Sequence, residues 1–192
     1  MKKSLSLILA ALLMLSLAAC GAGEKPAEPD PAESPAESAL DLLSQVWDSY
    51  EEDAKFPAAG GDMTEENMAM DGPGNYGVGD TQALDAILGF PAAAADKIDD
   101  AASLMHMLNA NTFTCGAFHA KDAGDVDGLC AAIRDNILQR HWMCGFPDKL
   151  VVVKLGSYVV SAFGHTEPVD TFVTQLSGVF PTAETVCDEA IG

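Results

Sequence analysis

The sequence predicts an α+β fold with a small antiparallel or mixed four-stranded sheet and helices packed on one face, preceded by N-terminal helices. Apolar residues recur at helical spacing in several segments, most clearly over 126–141. Two apolar runs flank the two-residue turn Gly156-Ser157, which is a strong hairpin signal. The predicted order is helices, strand, strand, helix, strand, strand, helix, and this order suits helices that pack on such a sheet.

Residues 1–19 predict an export signal peptide. Lys2 and Lys3 give a positive start, and Leu5 to Ala19 is apolar or small except for Ser6 and Ser16. A helix that spans a hydrocarbon core of roughly 30 Å needs about 20 apolar residues, so this run is short for a permanent span. We therefore expect the segment to be removed.

The predicted signal peptide ends in Leu17-Ala18-Ala19-Cys20, which resembles the lipobox of bacterial lipoproteins. The resemblance implies that Cys20 carries a diacylglyceryl group and holds the chain at the outer face of the cell membrane. Two or more acyl chains anchor a protein stably, because each buried carbon contributes about 0.8 kcal/mol. The alternative is an ordinary secreted protein that is cut near Ala19 and keeps Cys20 as a free thiol.

The chain is strongly acidic. Beyond residue 19 it has 8 Lys and Arg against 29 Asp and Glu, which is a formal net charge of −21. Such a chain lacks the basic surface that nucleic acid binding requires, and anionic lipid does not attract it. The charge indicates either a well solvated surface or a surface that captures a cationic peptide or a divalent cation.

A linker of residues 20–37 joins the lipidated cysteine to a single α+β domain of residues 38–192. The linker has four prolines, five carboxylates and no large apolar residue, so it predicts an extended stalk without a core. At about 3.1 Å per residue in the polyproline II conformation, this stalk would reach roughly 50 Å.

The first part of the domain predicts short helices around a long acidic loop. A helix over about 39–52 follows the capping box Ser38 to Asp41. Residues 51–80 are rich in Gly, Asp, Glu, Asn and Met, and they predict a loop that is either functional or disordered. A second short helix begins at Thr81, and a helical turn follows over 92–98.

The second part of the domain predicts the sheet. Strands are expected over 103–108, 112–119, 150–155 and 158–163. Helices are expected over about 126–141, about 167–176 and, as a frayed last helix, 182–190.

Three segments resemble an uncharacterised family of Gram-positive bacterial lipoproteins, namely Met105 to Asn111, Arg140 to Pro147 and Lys154 to Val160. Members of this family combine a lipobox, an acidic Pro-rich stalk and an α+β domain of unknown function. Some are labelled bacteriocin transport accessory protein. The resemblance covers most of residues 38–180 and implies an accessory role linked to peptide export. It transfers no catalytic residue, because the family has none established.

Four cysteines lie in the predicted domain, Cys115, Cys130, Cys144 and Cys187, and they allow three full disulfide pairings. An exported location permits disulfides, whereas an anaerobic habitat would keep the thiols reduced. Cys115 and Cys130 also suit positions for small buried hydrophobic side chains. The sequence leaves the disulfide state open.

The segment Trp142 to Pro147 resembles in part the Trp-Cys-Gly-x-x-Cys site of thioredoxins. That resemblance implies a thiol-dependent accessory factor as an alternative function. The second cysteine is missing, however, and the segment follows a helix instead of opening one. No helix N-terminus therefore lowers the pKa of the Cys144 thiol.

Other catalytic and metal-binding motifs are absent from the sequence. The four histidines, His106, His119, His141 and His165, are not spaced as ligand pairs on one element. Nucleophile elbows and phosphate-binding loops are missing as well. We therefore predict a non-enzymatic binding or accessory module without a cofactor or metal. A receptor for a cation or a cationic peptide is a further alternative.

Overall fold

The computed structural model describes residues 35–143 and 145–192, which belong to one compact unit. The predicted signal peptide, the lipidated Cys20, the linker up to Ser34 and Cys144 lie outside the described residues. Ala36 falls within the predicted linker, yet it is buried, and its carbonyl oxygen accepts a 3.3 Å hydrogen bond from the Tyr158 hydroxyl. The packed part of the chain therefore includes Ala36.

The described residues contain eight strands, which form one antiparallel sheet. They are β1 (Ala58–Gly60), β2 (Ala69–Met70), β3 (Gly74–Asn75), β4 (Ile98–His106), β5 (Phe113–Ala120), β6 (Lys149–Leu155), β7 (Tyr158–Gly164) and β8 (Glu184–Ala190). Their order is β2-β1-β4-β5-β7-β6-β8, and β3 also pairs with β4. The α+β class with an antiparallel sheet is confirmed, but the predicted number of four strands is wrong.

Within residues 35–143 and 145–192, three helices are longer than two turns: α1 (Ala39–Asp48), α2 (Val126–Leu138) and α3 (Thr166–Val179). A helical turn at Thr81–Ala83 continues as a π-helical stretch, Leu84–Leu88. Short 3₁₀ segments occur at Ala92–Lys97, Ala110–Thr112 and Ala123–Asp125. The predicted helices near 39, 81, 92, 126 and 167 are thus present, with α1 and α2 ending a few residues earlier than expected.

Helices cover both faces of the sheet, so the prediction that they pack on one face is wrong. On one face α1 and α3 pack against side chains such as Leu104 and Val160. On the other face α2 and the 84–88 stretch pack against side chains such as Phe118 and Val152. A strand that is covered on both faces needs apolar residues at successive positions, and every residue of β7 is buried. The uninterrupted run 150–153 carries the same signal in the sequence.

The last predicted helix, over 182–190, is also wrong, because this segment forms the edge strand β8. Its register places Cys187 opposite Val152 of β6. Cys187 then lies in the core, while Glu184 and Asp188 stay exposed. Pairing with β6 satisfies backbone groups at the edge of a buried strand, and this tertiary gain outweighs a weak local preference for helix.

The predicted loop over 51–80 contains three short strands. Glycine allows them to approach β4 closely: a Cβ atom on Gly60 would lie 2.1 Å from the Gly74 nitrogen and 2.5 Å from the Ser103 carbonyl oxygen. No side chain fits at such distances, so the close contact depends on glycine.

The hairpin of β6 and β7 is confirmed. Its register runs from Lys149 opposite Gly164 to Leu155 opposite Tyr158, and Gly156 in the turn has a φ of 58°. That conformation is in the left-handed region, which glycine adopts without steric cost.

Candidate functional site

A groove of about 190 Å³ opens at the end of the sheet where β4 finishes, and we call it the methionine groove. Ala59 of β1 and Met105 of β4 are register partners there. The residues that line the groove are Ala59, Gly61, Met63, Tyr76, Ile87, Met105, His106, Met107, Leu108 and Ala110. Most of these side chains are apolar, so the groove can hold apolar groups and excludes charged ones.

Methionine is concentrated at this groove. Six of the eight methionines follow the predicted signal peptide, and three of the six, Met63, Met105 and Met107, line the groove. Met63 is 73% exposed and Met107 is 44% exposed, although both side chains are apolar. Thioether side chains are flexible and polarizable, so they adapt to apolar ligands of different shape. Exposed apolar side chains that cluster in a concave place indicate an interaction site.

The loop around Met63 holds this residue in an unfavourable backbone conformation. Its φ of 66° lies in the left-handed region, which non-glycine residues seldom adopt. The Asp62 carboxylate fixes the loop by accepting hydrogen bonds from the Thr64 N–H at 3.1 Å and the Thr64 hydroxyl at 2.6 Å. It also accepts from the Asn67 amide at 2.8 Å and the Gly77 N–H at 3.0 Å. Such strain persists only where the surroundings enforce it, as at ligand clamps.

Asp62 is ionised over the whole physiological pH range. Partial burial opposes its charge and would raise its pKa. The hydrogen bonds from Thr64, Asn67 and Gly77 outweigh that effect and lower the pKa from 3.8 to about 2. The same hydrogen bonds to the Asp62 carboxylate therefore keep this side chain charged and hold the loop in place.

A buried serine fixes the inner wall of the methionine groove. Ser103 of β4 is fully buried, and its hydroxyl oxygen accepts a 2.9 Å hydrogen bond from the Gly61 N–H. The same hydroxyl donates to the Gly61 carbonyl oxygen at 3.3 Å. Both backbone groups of Gly61 are thereby satisfied away from water.

A second, more open depression of about 350 Å³ adjoins the methionine groove at Tyr76, which lines both, and we call it the acidic cleft. The residues that line it are Asn67, Asn75, Tyr76, Gly77, Val78, Asp99, Asp100 and Ala101. Asp99 Oδ1 lies 2.6 Å from His119 Nδ1, and Asp100 Oδ2 accepts a 2.7 Å hydrogen bond from the Ala39 N–H. Each of these two contacts uses one oxygen of its carboxylate.

The pKa of Tyr76 is raised at the place where the two depressions meet. Burial raises the pKa of its phenol, and the charges of Asp62 and Asp80 raise it further, to about 12. Residues 56–96 contain seven carboxylates and no Lys or Arg, and of these carboxylates Asp85 pairs with Arg140 at 3.4 Å. Lys97, the next basic residue along the chain, pairs with Asp125 at 2.7 Å.

The structure describes three of the four cysteines of the predicted domain, and none of these three is in a disulfide. Cys115, Cys130 and Cys187 are free and buried. Burial raises the pKa of the Cys115 thiol well above its usual value and raises those of Cys130 and Cys187 to about 11. Because the thiolate is the reactive form, these three thiols are poor nucleophiles at neutral pH. Cys20 and Cys144 lie outside the described residues.

The histidines are dispersed over the domain. His106 stacks on Phe56 with ring centroids 5.6 Å apart, His119 contacts Asp99, and His165 Nδ1 lies 3.0 Å from an Asp148 oxygen. His141 is exposed. Within residues 35–143 and 145–192, His, Cys, Asp and Glu form no group of three or more that could hold a metal ion.

Sequence reasoning missed the methionine groove. The segments that form it were expected to be a loop and one strand, so their meeting at Gly60 could not be foreseen. A signal was nevertheless present, because five of the six methionines beyond the signal peptide lie in just two short stretches, 63–70 and 105–107. In the structure the methionines of these two stretches are exposed except for Met105, and clustered exposed apolar side chains indicate an interaction site.

Searches of protein-family models, curated proteins and solved structures gave no match to this chain. In the part of the chain that the structure describes, no helix has both the length and the apolar character to cross a membrane.

Proposed function

We propose that this protein is a non-enzymatic binding module, held at the outer face of the cell membrane by a lipidated Cys20, and that the methionine groove is its ligand site. One observation carries the proposal: three methionines converge on one groove, and one of them is exposed on a strained loop that Asp62 holds in place. The lipobox-like sequence and the resemblance to lipoproteins with an accessory role in peptide export support the location and the class of function.

The ligand that fits the groove is the apolar part of a peptide. Small-molecule sites usually have volumes of about 300–1,000 Å³. At about 190 Å³ the methionine groove is smaller, so it suits side chains of a longer ligand better than a whole organic molecule. The carboxylates around it disfavour anionic lipid headgroups.

Fatty-acid labelling of the bacterium tests the anchor. We expect the protein to take up labelled acyl chains and the Cys20→Ala variant to take up none. Label that survives Cys20→Ala would contradict the anchoring site. Accumulation of the unlabelled variant in the culture medium would show that the lipid, and no other contact, retains the protein at the membrane.

Glutamine substitutions at the groove test the ligand site. Met63→Gln and Met107→Gln should each weaken binding of a fluorescent apolar peptide about tenfold, because each removes apolar contact worth about 1.4 kcal/mol. Fluorescence anisotropy on the mature chain with Cys20→Ser measures the affinity. Met143→Gln is the matched control, since Met143 is 92% exposed and does not line the groove.

Two results would overturn the groove as the ligand site. One is an equal loss of affinity in Met63→Gln and in the Met143→Gln control. The other is sedimentation of the same unlipidated chain with phosphatidylcholine vesicles, abolished by Met63→Gln, which would identify the bilayer as the occupant of the groove. Urea unfolding of each variant shows whether a loss of affinity merely reflects a loss of fold.

A further inference from the structure

We infer that the ligand is a linear cationic amphipathic peptide, which reaches from one depression to the other, with its apolar residues in the methionine groove and its basic end in the acidic cleft. This inference rests on the proposed function, because it extends the same groove. It adds the chemical class of the ligand and the direction in which the ligand lies.

The two depressions adjoin at Tyr76, and we call the pair of them the track. Tyr76 lines both of them, and its N–H donates a 2.8 Å hydrogen bond to the Ala101 carbonyl oxygen of β4. Along β4, the acidic cleft is lined at Asp99, Asp100 and Ala101, and the methionine groove at Met105 and His106. A strand rises about 3.4 Å per residue, so Asp100 and His106 are roughly 20 Å apart. An extended peptide of about six to eight residues spans this length.

Charge complementarity decides the nature of the ligand's polar end. Asp99 and Asp100 line the cleft, and Asp62 and Asp80 lie close enough to Tyr76 to raise its pKa. Residues 56–96 bring no Lys or Arg to this place, Lys97 pairs with Asp125, and the Asp99 carboxylate contacts His119. A Lys or Arg side chain at this end therefore meets several carboxylates at once, whereas an acidic side chain is repelled. The apolar groove beside the cleft selects a ligand that is amphipathic, since an entirely polar cation gains nothing there.

Three synthetic peptides of about eight residues test this inference. The first has an apolar half and a half with about three lysines, the second has glutamines in place of the lysines, and the third has glutamates. We expect the cationic peptide to bind the mature Cys20→Ser chain about tenfold more tightly than the neutral peptide, because each exposed ion pair contributes up to about 1 kcal/mol. The acidic peptide should bind more weakly than the neutral one.

A change of salt concentration and substitutions of charged residues test where the basic end of the peptide binds. Raising the NaCl concentration from about 50 to about 500 mM should remove most of the advantage of the cationic peptide, since the screening length shrinks from about 14 Å to about 4 Å. The double variant Asp99→Asn with Asp100→Asn should lose the same advantage, and asparagine at position 100 still accepts the hydrogen bond from Ala39. The charge-matched control is Asp127→Asn with Asp188→Asn, whose carboxylates pair with Lys154 and Lys149 away from the track.

The outcomes separate this inference from the proposed function. Equal affinity for the cationic and neutral peptides, with both weakened by Met63→Gln, would overturn the cationic ligand and leave the groove as the ligand site. Equal loss in the cleft double variant and in its control would overturn the direction of binding. If no peptide binds at all, the inference and the proposed function both fail.

Discussion

Two buried serines allow a sharp test at the scale of single residues. Ser103 and Ser161 are both fully buried, on neighbouring parts of the sheet. The Ser103 hydroxyl makes two hydrogen bonds to Gly61, whereas the Ser161 hydroxyl has no hydrogen-bond partner among the described residues. The same substitution should therefore have different effects at the two positions.

Ser103→Ala should destabilise the domain by about 1–3 kcal/mol, because it leaves the buried N–H and carbonyl oxygen of Gly61 without partners. Ser161→Ala should be neutral or slightly stabilising, because it removes a hydroxyl that is buried at a cost. Urea denaturation of both variants measures the difference. Equal destabilisation would show that Gly61 finds other partners when Ser103 is truncated.

The lowered pKa of Asp62 predicts a pH dependence of stability. A carboxyl whose pKa is lower in the folded state stabilises the fold at pH values above its unfolded pKa of about 3.9, and it loses that effect as pH falls towards its folded pKa. With a folded pKa of about 2, the effect should be complete at pH 5 and largely lost at pH 2.

Asp62→Asn should therefore reduce the free energy of unfolding by about 1 kcal/mol at pH 6, after a discount for the partial exposure of the side chain. The difference from the parent chain should shrink steadily between about pH 4 and about pH 2. Urea titrations across this range measure it, with Glu65→Gln in the same loop as the control for loss of an exposed charge. A constant difference at all pH values would mean that Asp62 acts only through its shape.

At the scale of elements, an ion pair joins the edge strand β8 to α2. Arg134 of α2 donates from Nε to Glu189 Oε1 at 2.5 Å and from Nη2 to Glu189 Oε2 at 2.8 Å. This planar, bidentate contact joins β8 to the helix. It adds to the backbone pairing of β8, which is made with β6 on one side only.

Arg134→Gln should make the amides of β8 exchange faster with solvent while those of β7, in the middle of the sheet, stay protected. Hydrogen–deuterium exchange measures both in one experiment. Asp135→Asn is the matched control, because it removes the other carboxylate that Arg134 contacts and leaves Glu189 in place. Unchanged exchange in β8 would show that pairing with β6 suffices.

The elements also show how far the sequence determines the fold and where it stops. The β6–β7 hairpin was predictable, because turn chemistry at Gly156 and two apolar runs act over a few neighbouring residues. The run 150–153 held information about a second covered face, since alternation is lost where both faces are buried. The strand β8 and the three short strands around Gly60 were not predictable, because distant backbone groups stabilise them. The methionine groove is built from those same segments, so it could not be predicted either.

At the scale of the whole molecule, Pro35, the first described residue, and the methionine groove lie at opposite ends of the sheet. Pro35 approaches Gly156, in the turn beside Tyr158. The groove opens beside residues 107–110, near Phe113 at the other end of β5. β5 pairs with β7 from Phe113 opposite Gly164 to His119 opposite Tyr158, which is a span of about 20 Å. A lipid anchor at Cys20 would therefore hold the domain from the end away from the groove.

This arrangement predicts that shortening the stalk leaves the methionine groove accessible. The test uses the lipid-anchored chain with Cys144→Ser and a single new cysteine, either Met63→Cys in the groove or Glu37→Cys at the stalk entry, both at exposed positions. In each chain residues 24–33 are either kept or deleted. The remaining thiols at 115, 130 and 187 are buried, so they contribute little background.

A bulky, membrane-impermeant maleimide should label the cysteine at position 63 at the same rate with the full and the shortened stalk. Labelling at position 37 should slow when the stalk is shortened, because the bilayer then approaches the end of the domain that carries Pro35. Detergent-solubilised samples are the control, and in them both rates should be independent of stalk length. Slower labelling at position 63 in membranes, with position 37 unaffected, would place the groove against the bilayer and contradict a soluble peptide ligand.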